Sequence, residues 1–208
     1  MTGHQQTRAA ERTGRPPLTE RRKAETRLEV ARAAVRLFLA QGVADTSVEE
    51  IAAQAGISAR TLWRYFPSKE SCVMPLLVSG IEQTAARLRS WRGDQGVSEL
   101  LGTLAHGHAG SPESMAEMLN LVRLTRTDPG LRAVWLEAHR EAEPAFAEAL
   151  AHRAGLAEPD LATAIQAAMI NGALRVAVEH HAFNAETPAS LAAATAEALT
   201  IAARGLPA

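Results

Sequence analysis

Apolar residues recur along this chain at intervals of three and four, and no stretch alternates β-branched and polar residues as a strand would. The pattern predicts a helix from about Thr19 to Gln41, with Leu28, Ala31, Val35, Phe38 and Leu39 as its buried stripe and Gly42 as its stop. A second helix begins near Val48, where Ser47 and Glu50 have capping-box spacing. Its inner face is Val48, Ile51, Ala52 and Ala55, and Gly56 ends it in the left-handed conformation. Ser58 caps a third, whose inward Leu62 is joined one turn on by Phe66 before Pro67 blocks continuation.

Further along, a long helix is predicted from beyond Ser68 to about Trp91, with Val73, Leu76, Leu77, Ile81 and Leu88 at core spacing and Pro75 tolerated in its first turns. Arg92 to Gly96 breaks the pattern. Helices then follow over about Val97 to Gly110, Ser114 to Thr127 and Leu131 to Ala154, the last kinked or broken at Pro144. Asp160 to His181 and Pro188 to Arg204 supply the final two. Leu161, Ile165, Ala168, Met169, Gly172 and Val176 on one, with Leu191, Ala194, Ala198 and Ile201 on the other, form apolar stripes rich in small residues. Such stripes serve either an intramolecular core or a four-helix dimer interface.

Two short helices joined by the turn Ala55 to Ser58 have the form of a helix-turn-helix. At about 100° per residue, Arg60 and Arg64 point nearly opposite Leu62, with Thr61 and Trp63 on the flanks. Arginine forks onto guanine edges, threonine offers a hydroxyl and a methyl, and an aromatic ring packs on thymine methyl or sugar. Trp63, Tyr65 and Phe66 are three of the eight aromatic residues in the chain, so aromatic content is concentrated at this helix. Each is either a groove contact or part of a small helical core.

The stretch TSVEEIAAQAGISARTLWRYFPSKE, preceded by a long amphipathic helix, resembles the TetR family of bacterial transcriptional regulators. The resemblance is at motif level over about residues 20 to 75. It implies an all-α protein: an N-terminal three-helix helix-turn-helix DNA-binding domain (19–67, behind a flexible basic arm at 1–18) and a larger C-terminal helical domain for effector binding and dimerisation (68–208). It further implies the family's usual repression relieved by a small molecule, with an activator or ligand-independent regulator, or a helical ligand-binding adaptor, as the alternatives. The recognition positions carry over to Ser58, Ala59, Arg60, Thr61, Trp63 and Tyr65. Lys69 matches the family's lysine at the start of the fourth helix, where it is expected to hold a phosphate, and Thr46 and Ser47 play that part at the second helix. The family often has a small residue where this chain has Arg60, and an aromatic or histidine where it has Arg64, so the operator sequence is not inherited from the resemblance. In the family mechanism the fourth helix acts as a lever that changes the separation of two reading heads. A twofold dimer would read an inverted repeat with half-sites about 34–36 Å apart.

Composition adds to this picture. The net charge of −1 divides unevenly: residues 1–70 hold 12 Lys and Arg against 8 Asp and Glu (+4), and the rest hold 10 against 15 (−5). A basic reader is thus joined to an acidic body. The arginines at 8, 12 and 15 place the arm either along a minor groove or as a solubilising leader. One cysteine, Cys72, excludes an internal disulfide, no apolar run approaches a membrane span, and the polar start is not a signal sequence, so a cytoplasmic protein is expected. The spacings of His106 with His108 and of His180 with His181 do not place paired metal ligands on one helix face. Gly102, Gly107 and Gly110 make no phosphate loop after a strand, and Cys72 lacks a nucleophile signature. Neither catalysis nor a cofactor is called for.

For the effector, the candidates are polar or polarizable residues within apolar runs: Met118, Arg123, Trp135, His139, Asn171 and Arg175. A buried polar group needs a partner, supplied either by the protein or by a ligand. If they face a cavity, an apolar or acyl-type molecule with one anionic or hydrogen-bonding end suits them. The expected partners are therefore double-stranded operator DNA, a second copy of the chain and such an effector.

Overall fold

The structure, a computed structural model, describes residues 18–90, 112–184 and 190–204. The basic arm, the break at 92–96, the helix expected over 97–110 and His106 and His108 lie outside the described residues. Numbered in chain order among the described residues, the helices are α1 (Leu18–Gln41), α2 (Val48–Gln54), α3 (Ala59–Tyr65), α4 (Met74–Ser90), α5 (Pro112–Leu124), α6 (Pro129–Arg153), α7 (Leu161–Phe183) and α8 (Leu191–Arg204). A 3-10 turn over Glu70–Val73 precedes α4.

That turn modifies the expected continuous helix from Ser68, and Pro75 explains it. Proline has no N–H to donate to the Ser71 carbonyl in the α pattern, so the Met74 amide takes that carbonyl instead and tightens the turn. Ser68 and Ser71 cap it reciprocally, each backbone N–H donating to the other's hydroxyl at 3.1 Å. α5 starts two residues earlier than its apolar pattern, with Pro112 at the first helical position where a missing N–H has no consequence. Of the kink or break expected at Pro144, the break does not occur: α6 runs through it. Pro144 is exposed, so water can satisfy the carbonyl one turn back that loses its donor.

Two apolar clusters hold the chain together. One is built from Val30, Val35 and Phe38 of α1, Ile51 of α2, Leu62 of α3 and Cys72 and Val73 of the turn, and continues through Leu77, Leu121, Leu131 and Trp135 into the body. The other gathers Leu88, Phe146, Leu150 and Leu199 further along α4, α6 and α8. In α1, Ala31, Val35 and Phe38 of the expected stripe are buried and Val30, Ala33 and Ala34 join them, whereas Leu28 is half-buried and Leu39 exposed. Burial pushes the Cys72 thiol up to about 12, with the Glu70 carboxylate adding to the effect. α4 packs along α6, and α7 between α6 and α8.

Where the turn meets α6, Gly130 leaves room for Glu70. A methyl at residue 130 would stand 2.9 Å from Glu70 Cγ, closer than packed carbon atoms come. The head meets the body elsewhere, where α1 packs on the 3-10 turn, on α4 and on α5.

α7 corrects one expectation. It contains an 18-residue stretch of mean hydropathy 1.4 and is long and apolar enough, by length and composition, to cross a membrane. Much of its apolar surface is unburied: Leu161 is 77% and Ile165 51% exposed, and Met169, Val176 and α8's Ile201 are exposed too. These five residues belong to neither apolar cluster, whereas Leu191 of the expected α8 stripe is partly buried against the first.

Candidate nucleic-acid interface

Local chemistry sets the reading helix in place. Ser47 and Glu50 form a reciprocal capping box: the Glu50 amide donates to Ser47 Oγ at 3.2 Å and the Ser47 amide to Glu50 Oε2 at 2.8 Å. The backbone hydrogen bond from Ser47, then that residue's hydroxyl and then Gln41, lower the Glu50 pKa from its ordinary value. At the other end of α2, Gly56 takes φ +69°. The amides of Ile57 and Gly56 then reach the carbonyls of Ala52 and Ala53 at 2.9 and 3.1 Å, the paired bonds of a glycine-terminated helix. The turn therefore delivers Ser58 as the α3 cap, its Oγ accepting from the Thr61 amide at 3.2 Å.

With Leu62 fully buried, the opposite face of α3 is presented outward. Arg60 and Arg64 are exposed, Trp63 is 50% exposed and Thr61 is half-buried with its hydroxyl 2.9 Å from that of Ser58. Ala59 is half-buried against the core. Of the three clustered aromatics, Phe66 belongs to the core, Trp63 projects and Tyr65 is intermediate. Tyr65 lies under two guanidinium groups, Arg64 at 5.0 Å and Arg27 of α1 at 5.3 Å from the ring centroid. Sequence reasoning missed Arg27, because a single amphipathic helix gives no sign of which exposed arginine a distant ring will meet.

Two expected phosphate groups are engaged elsewhere. Thr46 is 2% exposed and donates its hydroxyl to the Gly42 carbonyl at 2.7 Å. The Lys69 ammonium donates to the carbonyls of Val43, Ala44 and Thr46 at 2.6, 3.3 and 3.0 Å. Here Lys69 fastens the start of α4 to the α1–α2 turn, and Ser47 Oγ is occupied by its own capping box.

In the body, four of the six effector candidates come together between α6 and α7. Trp135 Nε1 donates to Glu179 Oε1 at 2.8 Å, and Arg175 pairs with both oxygens of Glu179 at 3.0 and 3.1 Å. His139, 7% exposed, sits edge-on to Trp135 with centroids 4.3 Å apart, and its Nδ1 is 2.7 Å from Asn171 Oδ1. The Asn171 amide nitrogen donates to the His139 carbonyl and to Glu143 Oε1 at 2.9 and 3.2 Å. That fixes the amide orientation, so Nδ1 carries the imidazole proton and the buried Nε2 has no partner. Burial lowers the His139 pKa, opposed mainly by the Asn171 hydrogen bond, and keeps the ring neutral. Glu143 and Glu179 were not singled out from the sequence, where they look like ordinary solvated helix charges.

Arg123 and Met118 stand apart from this network. Arg123 is exposed, donates from Nε to the Ala182 carbonyl at 2.8 Å and bonds Asn120 Oδ1, while Met118 packs at the edge of the first core. Two adjoining grooves between α4 and α6 hold about 250 and 460 Å³. The smaller is lined by Val78, Ile81, Ala138 and Ala142 together with Glu82 and Glu141, and none of the six candidates lines either groove.

A capped three-helix head with an outward face of arginine and tryptophan, carried on a helical body, defines a helix-turn-helix DNA reader. Comparison with known proteins gives its kin. Residues 31–74 match the family described as "Bacterial regulatory proteins, tetR family", and residues 103–207 match the "MftR C-terminal domain". The chain belongs to the TetR family of transcriptional regulators. It is 31% identical over 149 residues to the HTH-type transcriptional regulator TcmR of Streptomyces glaucescens, covering 68% of this chain and 66% of TcmR. Over 51 residues it is 45% identical to the putative mycofactocin biosynthesis transcriptional regulator MftR of Mycobacterium tuberculosis, covering 24% of this chain and 26% of that one. The fold is shared with FadR of Thermus thermophilus, a TetR-family transcriptional repressor solved in complex with lauroyl-CoA. There the TM-score is 0.57 at 22% identity, over 88% of this chain and 95% of the other.

Proposed function

We propose that this chain is a dimeric repressor that holds an inverted-repeat operator through α3 and is released by a small apolar, acyl-type effector. The observation that carries the reading is the outward face of α3: Arg60, Trp63 and Arg64 exposed on a helix whose opposite residue, Leu62, is fully buried. Arg60, Thr61 and Trp63 read base edges, and Ser58 positions the helix on the backbone. In this reading a head over residues 19–67 is carried on a body from 68 onward, and one apolar cluster that runs from α1, α2 and α3 into the body couples the two.

The exposed stripe of Leu161, Ile165, Met169 and Val176 on α7, beside Ile201 on α8, supports a dimer. Capped by the same helices of a second copy, it becomes a four-helix bundle. Such a twofold arrangement sets two α3 helices one DNA turn apart. The effector reading draws on the lauroyl-CoA bound by the Thermus protein and on α4, which joins the head to the grooves along α6. An acyl chain suits the apolar floor of Val78, Ile81, Ala138 and Ala142. Glu82 and Glu141 repel an anionic head placed beside them, so the head lies away from these carboxylates.

The test is an anisotropy titration of the protein on a selected operator, repeated with saturated acyl-CoA thioesters of increasing chain length. The reading expects one chain length to weaken operator binding at least about tenfold, a coupling of about 1.4 kcal/mol. Operator affinity unchanged by the whole series removes the acyl effector and leaves a ligand-independent or differently triggered regulator.

A further inference from the structure

Arg27 and Arg64 come from different helices, yet both guanidinium carbons lie within 5.3 Å of the Tyr65 ring centroid. A cation over an aromatic face gains about 0.5–1 kcal/mol when exposed, which accounts for each contact alone. It does not account for two like charges collected on one side chain with no ion pair to either among the described residues. Among the described residues, the ion pairs are Lys23 with Glu20, Arg140 with Glu137 and Arg175 with Glu179; neither Arg27 nor Arg64 is in one. Glu20, the acid on α1 that feels Arg27, makes its ion pair with Lys23. Arg64 donates to the Tyr65 oxygen at 3.4 Å, which leaves the phenolic proton free to donate outward. Two planar donor forks and one hydroxyl thus converge beside the reading helix, all able to donate to an anion and, among the described residues, none in an ion pair with a carboxylate.

We propose that Arg27, Tyr65 and Arg64 form a clamp for a backbone phosphate of the DNA, so that α1 contributes its own contact to the interface. The inference rests on the DNA-binding reading above. Arginine presents paired N–H groups that match phosphate oxygens, and the ring holds both forks where one strand passes α3. Arg64 is thereby assigned to positioning on the backbone, with base reading left to Arg60, Thr61 and Trp63.

The test measures binding of the full chain to a random-sequence duplex and to a selected operator between about 50 and 200 mM salt. The variants are Arg27→Gln, Arg64→Gln, the double variant, Arg27→Lys and, as a control on α8, Arg204→Gln. Each lost phosphate contact flattens the slope of log affinity against log salt by about 0.9. Because the two arginines share one phosphate, the proposal expects about that change per reading head in the double variant, part of it in each single variant, recovery of the slope by lysine, and an equal loss on both DNAs. An unchanged slope in Arg27→Gln, accompanied only by a lower melting temperature, would mean that Arg27 merely fastens α1 to α3 and overturns the proposal. So does a loss confined to the selected operator, which would make these arginines base readers. Should Arg27→Gln fail to fold, Arg64→Gln and Arg27→Lys decide: the proposal requires a flattened slope in the first and a wild-type slope in the second. If the wild-type chain binds neither DNA, the DNA-binding reading itself fails, an outcome distinct from a clamp-specific failure.

Discussion

Replacing Lys69 by methionine separates two roles for its ammonium, a staple within the protein and a phosphate contact. Methionine keeps an unbranched stem of similar length and removes three donors from the carbonyls of Val43, Ala44 and Thr46. The Ala44 bond is long and exposed, and the Val43 carbonyl still receives the Thr46 amide at 3.3 Å. The net loss is then close to one charged hydrogen bond, about 2 kcal/mol. In a chain of this length that lowers the melting temperature by roughly 4–8 °C. Melting followed by far-ultraviolet circular dichroism, together with DNA affinity across a salt series, reads both roles. The staple predicts the fall in melting temperature with the salt slope unchanged. Melting within about 1 °C of wild type, with the slope flattened by about 0.9, would refute it and place the ammonium on a phosphate.

Three further outcomes follow from the same physical reasoning. Gly56→Ala meets no neighbour within 4 Å, so its effect is backbone strain at φ +69°, and chemical denaturation should show a loss of roughly 1–2 kcal/mol. Ile165→Asp combined with Val176→Asp places charges on the exposed α7 stripe and should give a folded monomer in sedimentation velocity, with operator affinity greatly reduced; a dimer that survives both changes excludes this face. His139 is neutral in the folded state because burial lowers its pKa, whereas the unfolded chain takes up the proton near the ordinary value of about 6.5. Its contribution is therefore full above that value and falls as the pH drops through it toward the lowered folded value. Melting temperature should decline over this range in the wild type and less steeply in His139→Gln.

The reading head was legible because its determinants are local. A serine three residues before a glutamate, a glycine at the turn and a serine before the next apolar face fix α2 and α3 within a residue or two. What joins the head to its surroundings was hidden, since Lys69 finds a carbonyl 26 residues away and Tyr65 finds Arg27 on another helix. In the body, four of the polar and polarizable residues singled out in apolar runs, Trp135, His139, Asn171 and Arg175, bond to the protein itself in one network between α6 and α7. Their acidic partners Glu143 and Glu179 went unnoticed because charge on a helix usually means solvent. Arg123 misled for the converse reason, as an arginine inside LNLVRL still reached the surface. Pro144 was overvalued as a breaker because sequence does not show that its turn faces water. The α7 stripe was ambiguous because its periodicity suited a core and an interface equally, and only the fold shows Leu161, Ile165, Met169 and Val176 exposed on the single chain.

Selection of bound sequences from random DNA by the full chain tests the central claim most directly. The account predicts enrichment of an inverted repeat whose half-sites are centred about one helical turn, 10–10.5 base pairs, apart, and loss of that enrichment in Arg60→Ala. A pool that stays random, or an enriched sequence that Arg60→Ala still selects, would contradict it.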